Sequence, residues 1–175
     1  MSTPPLRSIF LIGPMGSGKT AVGKALAKLC RFQFIDSDSE IESRTGVDIP
    51  LIFDKEGEAG FRVREREVID ELTQRSGIVL STGGGAILSP ESRIALRERG
   101  FVVYLKTTVE QQAQRVREGH NRPLLKNTED IAGKLASLMA EREPLYAETA
   151  HAVVSTDRRQ VRRVAEQIMR ELLLP

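Results

Sequence analysis

The sequence predicts an α/β fold in which helices cover both faces of a parallel β-sheet. Short apolar segments of strand length alternate with longer segments that carry apolar residues at helical spacing. The strand segments are almost continuously apolar, as expected for strands buried on both faces. A glycine-rich loop lies between the first strand and the first helix, as in many doubly wound sheets. The predicted strands are 8–12, 32–35, 78–81, 102–105 and 152–155.

Helices are predicted between these strands from apolar faces and capping residues. Apolar residues at helical spacing occur within 21–29, 61–72, 131–138 and 161–172. Ser89, followed by a proline, is predicted to cap a helix that ends near Gly100. Thr107 and Glu110 form a predicted capping box for the next helix, which runs towards residue 118. Thr128 is predicted to cap the helix after that.

The composition describes an ordinary globular protein with no bulk signal for a charged macromolecular partner. A length of 175 residues suits a single domain spanning 1–175. The net charge of +2 is small and both signs are interspersed, so neither nucleic acid nor a membrane surface is indicated as a partner. No segment has the length of a membrane span or the pattern of a signal peptide, so we expect a cytoplasmic protein.

Cys30 is the single cysteine, so the chain forms no internal disulfide. It ends an apolar helical stripe, and we expect a buried, unreactive thiol. Every apolar stripe of the sequence is assigned to the core, so we expect a monomer.

The segment FLIGPMGSGKTAVGKAL carries the strongest functional signal. It matches G-x-x-x-x-G-K-[ST], with an apolar strand before it and an amphipathic helix after it. Backbone N–H groups of such a loop surround phosphate oxygens, the lysine contacts the β- and γ-phosphates, and the hydroxyl coordinates Mg²⁺. The alternative is a chance glycine-rich turn. The predicted ATP-binding residues here are Gly16, Ser17, Gly18, Lys19, Thr20 and Ala21.

Two carboxylates follow the second predicted strand. Asp36 and Asp38 point to the same side if the strand stays extended, and they lie at the edge of the sheet where α/β proteins bind ligands. We expect Asp36, with Thr20, to hold Mg²⁺, and Asp38 to contact a substrate hydroxyl. The alternative is a polar strand end that caps the following helix. Ser81, not an acid, ends the third strand, which favours Asp36 as the metal ligand.

Two segments are longer than a simple crossover requires. About forty residues separate the second and third strands. The polar segment EGHNRPLLKNT, residues 118–128, has no helical or strand periodicity. The first is predicted to be a substrate-binding insertion, about 37–65, and the second a lid, about 117–128. A short chain with two such insertions fits a kinase that encloses a small acceptor. Such an enzyme needs a lid, because water in the site would hydrolyse ATP. Ordinary surface loops are the alternative.

Arginines and glycines in these segments are candidates for contacting an anionic substrate. Arg62, Arg122 and Arg142 lie beside glycine, proline and aromatic residues, and a guanidinium matches the geometry of carboxylate and phosphate. A single arginine is more commonly a solvated surface charge. The segment IVLSTGGG ends a strand with Gly83, Gly84 and Gly85, which provides bare backbone for a ligand or forms a tight turn.

Taken in order, these motifs resemble the shikimate kinase family, a nucleoside-monophosphate-kinase-like group. The resemblance extends from residue 9 to about 169, and it rests on GPMGSGKT, DSD at 36–38, GEAGFRVRE at 57–65, STGGGA at 81–86, NRPLL at 121–125 and REPLYAETA at 142–150. It implies a three-layer P-loop kinase fold with strand order 2-3-1-4-5. It also implies transfer of the ATP γ-phosphoryl group to the 3-hydroxyl of shikimate, in the pathway to chorismate and aromatic amino acids.

The resemblance assigns a role to each matching residue. Asp38 would orient the attacking hydroxyl, Arg62 and Arg142 would hold the shikimate carboxylate, and Glu65 would brace Arg62. The backbone of Gly83, Gly84 and Gly85 would contact the shikimate ring. Lys19, Mg²⁺ and Arg122 of the lid would stabilise the charge of the phosphoryl group. The residues that carry these roles are Lys19, Asp38, Arg62, Glu65, Gly83, Gly84, Gly85, Arg122 and Arg142.

The adenine side of the site departs from the pattern of the family. Relatives often have a proline in the loop after the last strand, where this sequence has Val161. Arg115 and Arg159 are candidate adenine contacts, with exposed surface charges as the alternative. The second functional hypothesis is another small-acceptor kinase, such as gluconate kinase. A nucleotide-binding regulator without catalysis is a third.

Overall fold

The computed structural model describes residues 6–118, 123–125 and 128–173, and it contains one parallel sheet. The strands lie in the order β2-β3-β1-β4-β5, and every neighbouring pair is parallel. The predicted fold and strand order are therefore confirmed. The strands are β1 (Ile9–Ile12), β2 (Gln33–Asp36), β3 (Ile78–Ser81), β4 (Phe101–Lys106) and β5 (Ala152–Ser155).

Helices follow the strands and cover both faces of the sheet. Short 3₁₀ helices form at Ala86–Leu88 and Pro123–Leu125. The α-helices of the described residues are α1 (Lys19–Cys30), α2 (Ser37–Thr45), α3 (Ile49–Leu72), α4 (Pro90–Arg99), α5 (Val109–Glu118), α6 (Ile131–Thr149) and α7 (Val161–Leu173).

The alternation of side chains along β1 divides the core into two layers. Phe10 and Ile12 point into a cluster with apolar residues of α3, α4 and α6. Ile9 and Leu11 point into a cluster with α1 and α7. All four side chains are fully buried, which explains why the strand sequence is continuously apolar. A third, smaller cluster joins α5 and α6 to Leu125 and packs against Met15 of the glycine-rich loop.

Two of the three predicted helix caps are wrong. Ser89 caps α4 as predicted, accepting a hydrogen bond from the Ser92 N–H at 3.2 Å. The side chain that caps α5 is Thr108, which accepts from the Gln111 N–H at 3.2 Å. Thr107 instead donates its hydroxyl to the Asp157 carboxylate at 2.8 Å. A charged acceptor forms the stronger hydrogen bond, and it holds Thr107 away from the helix.

Helix α6 begins later than its predicted cap. The Asp130 carboxylate accepts from the Gly133 N–H at 2.9 Å and so caps the helix. The N–H of Thr128 is bonded back to the Leu125 carbonyl at 3.3 Å, within the preceding turn. The cap of the helix therefore lies two residues beyond the predicted cap, Thr128.

Cys30 is half-buried, not fully buried as expected. Its thiol lies 3.1 Å from the Met169 sulfur on α7, and burial raises its pKa above the ordinary value. A raised pKa disfavours the reactive thiolate, which agrees with an unreactive role.

Helix α3 contains a break at Gly57, where φ is 71° and ψ is 178°. This conformation is essentially restricted to glycine, and it changes the direction of the chain between two helical segments. The residues before and after the break line the same cavity, described below.

Among the described residues, none of the helices is both long and apolar enough to cross a membrane.

Candidate active site

The glycine-rich loop joins β1 to α1 with the geometry of a phosphate-binding loop. Gly18 precedes α1 with φ of 88°, in the left-handed region that favours glycine. Lys19 is buried, and its ammonium group donates to the carbonyl oxygens of Gly13 at 2.7 Å and Pro14 at 2.8 Å. The carbonyl groups of the loop therefore hold the Lys19 side chain against the loop.

A pocket of about 300 Å³ lies over this loop and is called the phosphate pocket. Of the loop residues predicted to bind ATP, all but Ser17 line the phosphate pocket. The Ser17 side chain is buried beneath the loop. The Ser17 carbonyl accepts from the Thr156 hydroxyl at 2.9 Å, which ties the loop to the end of β5. The lining residues are Met15, Gly16, Gly18, Lys19, Thr20, Ala21, Asp36, Asp38, Ser81, Thr82, Gly83, Gly84 and Arg115.

Asp36 and Asp38 do not lie on one extended strand. β2 ends at Asp36, which caps α2 by accepting from the Ser39 N–H at 3.0 Å, and Asp38 lies in the first turn of α2. The assumption of an extended chain was therefore wrong, because the capping bond of Asp36 starts a helix there. Both residues nevertheless line the phosphate pocket.

Thr20 and Asp36 fit the oxygen donor set of a magnesium site. The Thr20 hydroxyl lies 3.5 Å from Asp36 Oδ2, so the two groups converge from α1 and the end of β2. Mg²⁺ in nucleotide sites is held by one or two protein oxygens, while phosphates and water complete its octahedron. The two side chains can supply that share.

A second cavity, of about 340 Å³, adjoins the phosphate pocket and is called the inner cavity. The two share Met15, Asp38, Gly83 and Gly84. The predicted substrate residues Asp38, Arg62, Gly83, Gly84, Gly85 and Arg142 all line the inner cavity. The structure therefore brings together residues that are up to about a hundred positions apart in the sequence.

Several lining residues were not predicted. They are mostly apolar, and a single sequence gives no chemical reason to separate them from core residues. Pro123 and Leu124 are the described part of the predicted lid that reaches this cavity. The lining residues that were missed are Met15, Glu42, Ile49, Pro50, Phe53, Phe61, Pro123 and Leu124.

Arg62 is held by two glutamates of its own helix, α3. Its guanidinium donates to Glu65 at 2.8 Å and to Glu58 at 3.2 Å, and its Nε has no hydrogen-bond partner among the described residues. The predicted contact between Glu65 and Arg62 is therefore present. Glu65 is buried, and this burial raises the pKa of its carboxyl, against the opposing effect of Arg62 and Arg142.

Arg142 enters the inner cavity from α6 and is almost fully buried. Its Nε also lacks a partner within the described part of the chain. Buried guanidinium groups with unused donors are costly unless an anion satisfies them. Two such groups on one cavity match a bidentate acceptor, such as a carboxylate.

The three glycines make room for the side chains of the site itself. A Cβ at Gly83 would lie 2.8 Å from both Asp38 Oδ1 and Glu65 Oε2, and one at Gly85 would collide with the Arg62 guanidinium. A Cβ at Gly84 would make contacts of 3.4 Å or longer. Gly84 and Gly85 lie in a turn, but none of the three glycines has a positive φ, so the turn itself does not require glycine. Steric room for Asp38, Glu65 and Arg62 explains Gly83 and Gly85.

The three remaining arginine predictions have different outcomes. Arg115 lines the phosphate pocket and donates to the Gly16 carbonyl at 2.7 Å. Arg159 donates to the Ser155 carbonyl at 3.2 Å and to Gln167 at 2.5 Å, and it does not line either pocket. Arg122 lies outside the described residues, as does much of the predicted lid.

A phosphate-binding loop that opens into a cavity lined by two arginines and an aspartate defines a P-loop kinase for a small acceptor. The family model for shikimate kinase matches residues 15–173. The chain belongs to the shikimate kinase family.

Curated relatives match over almost the whole length of the chain. A shikimate kinase of Legionella pneumophila is 54% identical over 172 residues, which is 98% of each chain. A shikimate kinase of Halorhodospira halophila is 57% identical over 164 residues, covering 94% of this chain and 92% of the relative.

Solved structures agree with this assignment. The structure of shikimate kinase from Acinetobacter baumannii in complex with shikimate has a TM-score of 0.94 and 50% identity, and the match covers 96% of this chain and 93% of that one. A gluconokinase from Sinorhizobium meliloti has a TM-score of 0.57 at 20% identity, which shows the shared fold alone.

Proposed function

We propose that the protein is a shikimate kinase that transfers the γ-phosphoryl group of ATP to the 3-hydroxyl of shikimate, giving shikimate 3-phosphate and ADP. The observation that carries this proposal is the continuity of the inner cavity with the phosphate pocket at Asp38. A small acid held by Arg62 and Arg142 therefore has its hydroxyl groups near the bound nucleotide. The product belongs to the pathway to chorismate and aromatic amino acids.

The acceptor binds in the inner cavity through its carboxylate. Arg62 and Arg142, which both line the inner cavity, donate guanidinium N–H groups to the carboxylate oxygens. Glu65 keeps Arg62 in place through their ion pair. The bare backbone of Gly83, Gly84 and Gly85 forms the wall against which the ring lies.

Asp38 orients the attacking hydroxyl at the boundary between the two pockets. The transition state of phosphoryl transfer is loose, so positioning and charge stabilisation contribute more than proton abstraction. Lys19 exchanges its loop carbonyl partners for phosphate oxygens, and Arg122 approaches from the lid. Thr20 and Asp36 would hold Mg²⁺, which would neutralise phosphate charge when bound.

When the phosphates of ATP occupy the phosphate pocket, the adenine lies near Arg115, and Arg159 is a second contact. The chain works as one domain over 1–175, in which 37–65 form the substrate-binding insertion and 117–128 the lid. We infer a cytoplasmic monomer, since the partners that the site requires are small molecules. Light scattering of the purified protein would test the oligomeric state.

The test is the release of ADP in a coupled assay with Mg-ATP and shikimate, gluconate, AMP or no acceptor. We expect ADP with shikimate only. ADP formed with gluconate would favour the second hypothesis and overturn the assignment of the acceptor. ATP binding without acceptor-dependent ADP would favour a nucleotide-binding regulator.

A further inference from the structure

Tyr146 lies behind the glycine segment and donates its hydroxyl to the Gly84 carbonyl oxygen at 2.5 Å. The side chain is fully buried on α6. It does not line the inner cavity, so it does not touch a ligand bound there. Its position is that of a support for the wall of the cavity.

Tyr146 and Arg142 are four residues apart on α6 and therefore share one face of the helix. An ideal Cβ at Gly84 would lie 3.7 Å from Arg142 Nη1 and 3.4 Å from the Met15 backbone nitrogen. Gly84 is thus enclosed by α6 on one side and by the phosphate-binding loop on the other. The same face of α6 supplies a side chain to the cavity and a hydrogen bond to its wall.

The bond to Tyr146 matters because Gly84 lies within a run of three glycines. Glycine has the largest backbone freedom of any residue, and Gly84 has no side chain to restrict it. The described peptide bonds are trans, so the Gly85 N–H points to the side opposite the Gly84 carbonyl. Fixing the carbonyl on Tyr146 therefore also fixes the direction of that N–H, away from α6.

The tyrosine is itself held rigidly in the state that donates. Its ring stacks on Tyr104, with centroids 5.0 Å apart and an interplanar angle of 19°. The Tyr104 hydroxyl donates to Glu143, so Tyr146 is supported by the ring of Tyr104 and not by its hydroxyl. Burial raises the pKa of Tyr146 to about 12, against the opposing effect of Arg142, which also hydrogen-bonds to this side chain, so the hydroxyl keeps its proton at neutral pH.

We infer that Tyr146 is a positioning residue of the reaction, which holds the Gly84–Gly85 peptide in register with Arg142 so that the acceptor binds in one orientation. This inference rests on the proposed function. Without the hydroxyl, the peptide can turn about its neighbouring torsions, and the acceptor hydroxyl loses its alignment with the nucleotide.

The test compares Tyr146→Phe with the matched variant Tyr104→Phe. Each keeps its ring and the stack and loses one buried hydroxyl. For Tyr146→Phe we expect kcat/KM for shikimate to fall roughly tenfold, the effect of one lost positioning hydrogen bond, while the Kd of ATP is unchanged. For Tyr104→Phe we expect lower thermal stability with unchanged kinetics towards shikimate.

Unchanged kinetics in folded Tyr146→Phe would overturn the inference, and so would an equal loss in both variants, which would indicate general loosening of α6. Wild-type protein that makes no ADP with shikimate would instead overturn the proposed function, because the variants are scored against it.

A second measurement does not require Tyr146→Phe to fold. The chain has two tyrosines, so Tyr104→Phe grown with 3-fluorotyrosine carries a single ¹⁹F label at Tyr146. We expect shikimate to shift this signal although Tyr146 does not line the inner cavity. A signal that does not move on saturation with shikimate would contradict the inference.

Discussion

Asp38 is the carboxylate that lines both the inner cavity and the phosphate pocket. We expect Asp38→Asn to lower kcat by roughly a hundredfold or more, because the amide cannot accept a proton and binds a hydroxyl in a different orientation. The Kd of ATP, measured by calorimetry, stays near the wild-type value. Asp54→Asn on the exposed side of α3 is the matched control and retains activity. Near-normal turnover of Asp38→Asn would remove Asp38 from the mechanism.

A bare backbone in the glycine segment can make room either for side chains of the protein itself or for the ligand. Substitutions at Gly85 and Gly84 distinguish these two roles. A methyl group at Gly85 collides with Arg62, while one at Gly84 fits in the free protein. We therefore expect Gly85→Ala to displace Arg62 and to raise KM for shikimate by roughly tenfold, about the effect of one charged hydrogen bond. Gly84→Ala keeps the Arg62–Glu65 pair, and any loss of shikimate binding then comes from contact with the ligand. An Arg62–Glu65 distance in Gly85→Ala equal to that in the wild type, measured crystallographically, would contradict this account.

At the residue scale, sequence reasoning selected cavity residues most readily where they lie in a motif. Arg62 and Arg142 stood out because they lie beside glycine and proline, and the structure places both in one cavity. Phe53 and Ile49 were missed as cavity residues, because an apolar side chain that lines a cavity has the same sequence pattern as one that packs in the core. Whether these two side chains line the cavity or pack in the core depends on the break in α3.

At the scale of elements, α3 supplies residues to the inner cavity from both sides of Gly57. We expect Gly57→Ala to destabilise the protein by about 1–3 kcal/mol, because a side chain is strained in this conformation. It should also raise KM for shikimate, since the two halves of α3 change their relative direction. Gly46→Ala is the matched control. Gly46 has φ of 73° with open space around it, so this variant loses stability without a change in KM. An unchanged KM in Gly57→Ala would show that the break does not shape the cavity.

The start of β5 carries a pH-sensitive hydrogen bond. The His151 Nδ1 accepts from the Val102 N–H at 3.0 Å, and partial burial, with Arg97 and Arg7, lowers the pKa of the ring. A lowered pKa means that the neutral ring stabilises the fold above the ordinary pKa, and that this contribution is lost as pH falls through the folded-state pKa.

We therefore expect the free energy of unfolding to fall slightly between neutral and mildly acidic pH, measured by urea denaturation. His151→Asn presents an oxygen near the Nδ1 position and does not titrate, so the difference between the two proteins should shrink or change sign as pH falls. Parallel pH profiles of the two would exclude His151 as the source. The effect is small because solvent reaches the ring.

The elements themselves were largely predictable, and their ends were less so. The five strands follow from apolar runs, and in β1, β3 and β4 these runs reflect burial on both faces, whereas the edge strands β2 and β5 are only partly buried. The cap of α5 was misplaced, because Thr107 is held by Asp157, some fifty residues away in sequence. A long-range partner of this kind is invisible to local sequence analysis.

At the scale of the whole molecule, the wall of the inner cavity concentrates charged groups that a bound acid would contact. Arg62 Nε, Arg142 Nε and Glu65 Oε2 are buried without hydrogen-bond partners within the described chain. We expect shikimate at about a hundred times its Kd to raise the free energy of unfolding by about 2.7 kcal/mol, measured by denaturant titration. Gluconate at the same concentration should leave stability unchanged. An equal shift with both acids would indicate a site without the proposed selectivity.

The buried Arg–Glu–Arg arrangement around the inner cavity also bears on how long the protein survives in a cell. Proteases act mainly on molecules that have opened, and the fraction that has opened falls when a ligand binds only the folded state. Substitutions that replace these charges with well-packed apolar side chains would raise the free energy of unfolding and lower turnover. A cell rich in the acceptor would therefore degrade this enzyme slowly. In a cell that lacks the acceptor, the unliganded enzyme would be degraded faster.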